Sequence, residues 1–143
     1  MKFLLITPLV LILAACSSEQ PEQVGSTERW YASEDVRYGQ NVFIQNCAVC
    51  HGDQAQGLTK DWKQTLADGT YPAPPLNGSA HAWHHPLKIL LRTIQNGGVP
   101  LGGTMPGFKD RLSQSEQLAA IAYFQSFWSD EIYQAWLKLD GLK

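Results

Sequence analysis

The sequence predicts an all-α domain, several helices and long loops folded around one bound group, and three observations lead there. Apolar residues recur at helical spacing after Ser33, Pro86 and Ser113, and no segment alternates convincingly as a strand would. Proline and glycine crowd the connections 71–78 and 97–107, which rules out continuous helix there. The third is the run Cys47-Ala48-Val49-Cys50-His51. Two thiols at this spacing, followed at once by an imidazole, read as an attachment site for one covalent haem c. Each thiol meets a vinyl group of the porphyrin while the imidazole comes up under the iron. Half a zinc site and a redox dithiol are the alternatives. Neither a second cysteine pair nor a βαβ pattern accompanies the motif.

The chain is divided as 1–15, 16–32 and 33–143. Lys2 precedes an apolar run from Phe3 to Leu13, too short for a membrane span of about 20 residues and suited to a signal peptide. Leu13-Ala14-Ala15-Cys16-Ser17 resembles the lipobox of bacterial lipoproteins. That resemblance implies cleavage before Cys16 and lipidation of its thiol and amine, the alternative being a plain signal peptide with Cys16 left free. Two or more acyl chains anchor a protein stably, at about 0.8 kcal/mol per buried methylene. Cys16 with lipid, and Cys47 and Cys50 with haem, would use all three cysteines and leave none for a disulfide. Ser17 stands where an aspartate holds some lipoproteins at the inner membrane, which points to the outer membrane. The polar stretch to Tyr31 shows no period and reads as a tether reaching roughly 22 Å.

Ser33 with Glu34 and Asp35 starts a helix over 34–46, with Gly39, Val42 or Phe43, and Asn46 along one side. It delivers the chain into the Cys47 motif. A polar glycine-bounded loop follows to Gly57, then a short helix over 60–67, capped by Thr59 and closed by Gly69. Tyr71 to Gly78 is extended by its prolines and can present a carbonyl rigidly. Pro75 C=O is the candidate acceptor for the other ring N–H of His51; a turn without that role is the alternative. Pro86 at the first helical position opens a helix to Asn96, with Leu87, Leu90, Leu91 and Ile94 on its apolar face. The run 97–112 is a long loop of the kind that tends to carry function. Ser113 and Glu116 form a capping box for a helix over 114–128, and 130–139 adds an amphipathic segment with Trp136 and Leu137 packing back.

Met105 lies in Gly102-Gly103-Thr104-Met105-Pro106-Gly107 and is the one methionine besides the initiator. The glycines allow close approach to a flat cofactor, and a thioether opposite imidazole raises a haem potential. Core filler is the other reading. His81, His84 and His85 compete as a sixth ligand, as a copper or zinc site, or as a plain polar loop, the last being preferred.

Over Val36 to Trp128 the chain resembles a monohaem class I cytochrome c. The elements are Cys47-x-x-Cys50-His51, Pro75-Leu76-x-Gly78, Met105-Pro106 and Ile121-Ala122-Tyr123-Phe124, in that order. The resemblance implies an all-α fold around an edge-exposed haem held by Cys47, Cys50 and His51. It further implies Met105 as the distal ligand, Pro75 as the imidazole acceptor, and Gly39 and Phe43 packed on Tyr123. Ser129 to Lys143 and the His81–His85 cluster fall outside the pattern.

The balance of 11 basic and 13 acidic residues offers no basic stripe for nucleic acid. The expected function is one-electron transfer between donor and acceptor redox proteins on the periplasmic side of a bacterial membrane. With both axial positions filled, no small-molecule substrate and no catalysis at iron are expected. The alternatives are a haem subunit of a larger oxidoreductase, a small haem peroxidase, a gas-binding haem sensor and, more remotely, a metal carrier at the histidine cluster.

Overall fold

The computed structural model describes residues 28–143, and the signal segment with Cys16 lies outside the described residues. Five α-helices follow in order: α1 (Ser33–Asn46), α2 (Ala48–His51), α3 (Leu87–Asn96), α4 (Gln114–Gln125) and α5 (Asp130–Lys138). Two short 3₁₀ turns, His81–His84 and Val99–Leu101, interrupt the loops. Among the described residues strand pairing is confined to one isolated bridge, Tyr71 with Gly103. The all-α expectation holds.

Helix starts follow their side chains closely. At α1 the cap is Ala32, one residue before Ser33, and the Asp35 carboxylate accepts from the Ala32 N–H at 2.9 Å. At α4 Ser113 and Glu116 bond reciprocally, the Ser113 N–H donating to Glu116 Oε2 at 2.8 Å. Pro86 caps α3 and stands one position before its first turn. α4 ends at Gln125, and Ser129 then caps α5.

The expected helix over 60–67 does not form; two turns take its place, with Gln64 N–H donating to Asp61 O and Gly69 N–H to Leu66 O. Its side chains explain this. Trp62 is half-buried and the rest of 60–67 is exposed, so no apolar face exists to hold so short a helix.

α1 crosses α4 at Gly39. A Cβ there would overlap the Ala119 carbonyl and sit 3.2 Å from Tyr123 Cβ. One turn on, the Phe43 and Tyr123 rings are 5.2 Å apart. The crossing needs glycine because two backbones meet where a side chain would stand.

α5, read from sequence as an amphipathic segment without a role, packs on the domain through its aromatic side chains. Tyr133 and Trp136 are fully buried. Trp136 Nε1–H donates to His85 O at 2.8 Å, and Leu87 N–H donates to Gly141 O at 2.6 Å. The chain before α1 docks on the same helix. Arg29 pairs with Asp130 at 2.7 Å and lies 4.2 Å over the Tyr133 ring. Trp30 N–H donates to Tyr133 Oη at 2.9 Å, and its indole N–H to Gln125 Oε1 at 2.6 Å. Burial beside these rings pushes the Tyr31 phenol up to about 12. Arg29 and Trp30, which the sequence reading placed in the tether 16–32, are thus packed on the domain.

Candidate functional site

α1 ends at Asn46, and Cys47 starts the next turn as the cap of α2. The N–H groups of Cys50 and His51 donate to Cys47 O at 3.1 and 3.0 Å. Side chains three and four positions apart share one side of such a turn, so Cys47, Cys50 and His51 are presented together. Both thiols are free; Cys47 is half-buried and Cys50 exposed. Burial, reinforced by the neighbouring Cys50, pushes the Cys47 thiol up to about 11.

His51 is buried, and its Nδ1 lies 2.9 Å from Pro74 O. A carbonyl can only accept, so Nδ1 carries the proton and Nε2 keeps its lone pair. Burial holds the ring pKa below the usual histidine value, the Pro74 contact opposing in part. A neutral imidazole with one nitrogen fixed and the other free is the form in which histidine ligates a metal.

The acceptor is Pro74, where Pro75 was expected, and backbone direction explains the shift. Ala55, at a left-handed φ of +56°, accepts from Leu76 N–H at 2.7 Å and Asn77 N–H at 3.2 Å. Pro75 C=O lies antiparallel to that Leu76 N–H across a trans peptide and so points away from the 52–57 loop. The carbonyl one residue earlier is left to meet the imidazole. Trp128 Nε1–H donates to Leu76 O at 2.7 Å, tying the proline segment to the end of α4. Tyr123 Oη–H donates to Asp53 O at 2.8 Å, tying the loop after His51 to the same helix. Trp128 and Tyr123 are supporting residues to which the sequence reading gave no such role; a Trp or Tyr beside a turn-rich loop is the signal, because each carries a donor.

Met105 is half-buried against the same core as Cys47 and Ala48. Its carbonyl accepts from Gly98 N–H at 2.9 Å. Gly97, at φ +79°, lets this loop lie on the end of α3; a Cβ there would stand 2.5 Å from Met105 O and 2.8 Å from Gly107 N. Phe108 N–H donates to Ile94 O, closing the loop onto α3.

The histidines sit elsewhere in the fold's packing, against Trp62, Trp83 and one another. Among the described residues no three His, Cys, Asp or Glu side chains are placed to hold a metal ion. No helix among them is long and apolar enough to cross a membrane. The donor set at 47–51, two free thiols and a neutral imidazole on one turn, suits a covalently attached haem.

Comparison with known proteins points the same way. Residues 34–124 match the family described as cytochrome C oxidase, cbb3-type, subunit III. The chain is 37% identical over 95 residues to the cbb3-type cytochrome c oxidase subunit CcoP of Rhodobacter capsulatus, covering 62% of this chain and 28% of that one. It is 33% identical over 92 residues to the subunit FixP of Bradyrhizobium sp. (strain ORS 278), covering 64% and 27%. A third relative, the cytochrome c subunit of the quinone alcohol dehydrogenase of Gluconobacter oxydans, is 25% identical over 99 residues, 64% of this chain and 18% of that one. The chain thus spans between 18% and 28% of these relatives' length. No solved structure matches it. With a matched region that runs from α1 through α4 and contains the Cys47–His51 turn, the chain belongs to the cytochrome C oxidase, cbb3-type, subunit III family of c-type cytochromes.

Proposed function

We propose that the protein is a one-electron carrier built on a single haem c, attached through Cys47 and Cys50 and ligated by His51 and Met105. The observation that carries this is the His51 imidazole, fixed through Nδ1 on Pro74 O with Nε2 free, one residue from a free thiol. When bound, the haem supplies an Fe(III)/Fe(II) couple. The chain's residues do the rest. Pro74 O keeps the proton on Nδ1 and fixes the ring's orientation, which strengthens Nε2 as a donor. The Gly97 contact and the Gly98 bond hold Met105 in place. A ligand pair held this firmly changes little between oxidation states, which favours rapid transfer, and filling both sides leaves no position for a substrate.

Relatives named as cbb3 oxidase subunits support delivery of electrons to an oxidase assembly of that kind, either as a bound subunit or as a partner that docks. The lipobox-like run ending at Cys16 supports a lipid anchor on the periplasmic side of a bacterial membrane. Donor and acceptor are redox proteins; nucleic acid is no partner on this reading.

The test is maturation in a host competent for cytochrome c assembly, followed by intact mass and optical spectra of both redox states. A mass gain of one haem with a reversible ferrous spectrum is expected. A colourless product, or one whose mass is that of polypeptide and lipid alone, would overturn the reading.

A further inference from the structure

The turn His81–His84 and the residue after it set two imidazoles side by side. The His81 and His85 ring centres are 5.5 Å apart with their planes at 80°. Neither side chain has a hydrogen-bond partner among the described residues, and His81 is exposed while His85 is half-buried. Both residues are braced, His81 through its ring and His85 through its backbone. Trp62 stacks on His81 at 5.1 Å and 30°. The His85 backbone is fixed from both sides, its N–H donating to Ala82 O at 3.1 Å and its carbonyl accepting from Trp136 Nε1–H at 2.8 Å.

This separation, within the range of an edge-to-face ring pair, also permits joint ligation of one ion. With a metal–nitrogen bond of about 2.0 Å, each ring centre lies about 3.2 Å from the ion, and two rings at a tetrahedral angle are about 5.2 Å apart. We propose that His81 and His85 form a two-histidine site for a divalent transition-metal ion, with water in the remaining positions. Imidazole donors select Cu²⁺, Ni²⁺ and Zn²⁺ over Mg²⁺ and Ca²⁺, with Cu²⁺ bound tightest. Burial holds both rings below the ordinary pKa, helped by His84 and Lys63 at His81 and by His81 and His84 at His85, which favours the neutral form that ligates. His84 lies near enough to act electrostatically on both rings, but its own ring packs on Trp83 at 3.8 Å, and it makes no bond to the ion in the proposed site. Lys63 lies 5.3 Å over the Trp62 ring and adds repulsion that the two donors must overcome. The site would place a metal on the face where Trp62, stacked on His81, holds the 58–70 loop.

Calorimetric titration of the ferric, haem-loaded protein with Cu²⁺ and separately with Zn²⁺ tests this. Haem loading occupies the thiols that would otherwise take up either metal. One ion per chain is expected, with Cu²⁺ tighter. His81→Gln and His85→Gln should each weaken binding at least about tenfold, the scale that even outer partners of a metal site command. His84→Gln should leave it unchanged, and all three variants should keep the wild-type haem spectrum. Equal heats in wild type and the His81→Gln/His85→Gln double variant would overturn the site. So would a loss in His84→Gln as large as in the other two.

Discussion

At Met105 and Gly97 a single atom decides the outcome. Met105 is held by its own backbone, through the Gly98 N–H, so its side chain can be shortened without moving the loop. On the proposed ligation, Met105→Ala should abolish the sulfur-to-iron charge-transfer band and lower the midpoint potential in a redox titration. Values equal to wild type would remove Met105 from the iron. Gly97→Ala acts on the same loop by another route. Its φ of +79° strains any other residue, by about 1–2 kcal/mol. The new Cβ would also stand 2.5 Å from Met105 O. The ferric protein should unfold at lower denaturant and lose part of the same band, because the loop must lift. On the proposed attachment, the Cys47 motif is legible from spacing alone, since a bond pattern between side chains and cofactor leaves a fixed trace in sequence. The imidazole's acceptor was legible only to within one residue. Which of two adjacent proline carbonyls faces His51 depends on Ala55, whose left-handed turn nothing in an alanine announces.

Among the elements, α1 and α4 carry the crossing on which the domain rests. Gly39→Ala should cost about 1–3 kcal/mol or more, the range for overpacking a filled contact. The cost falls at the high end because the added Cβ meets backbone, the Ala119 carbonyl, which cannot rotate aside. Denaturant unfolding followed by circular dichroism reads it; a shift within a few tenths of a kcal/mol would mean that the helices slide freely past one another. These helices were readable because pattern and caps agree: Ser113 and Glu116 announce α4, and Phe43 and Tyr123 mark the seam. The failure at 60–67 has the opposite cause. Thr59, Gly69 and good helix formers stand between them, yet only Trp62 turns inward. Local propensity gave a helix that tertiary burial did not support.

For the molecule as a whole, α5 joins parts of the chain far apart in sequence. It receives Arg29 and Trp30 from the chain's approach to α1, supports the His85 carbonyl, and packs Trp136 on Trp128, whose own indole holds the proline segment that carries Pro74. Sequence showed that Trp136 packs back but not onto what, because aromatic residues in a short C-terminal helix declare burial without naming a partner. The consequence is a separation of stability from redox properties. Trp136 is completely buried, so Trp136→Ala should cost about 3–5 kcal/mol. Leu139→Ala, one turn on but exposed, should stay within about 0.5 kcal/mol. The Trp136 indole reaches His51 only through Trp128, Leu76 and Pro74, a chain of contacts each held by further bonds. The midpoint potential of folded Trp136→Ala should therefore match wild type while its unfolding midpoint falls. If both fall together, α5 sets the position of the proline segment as well as the strength of the fold.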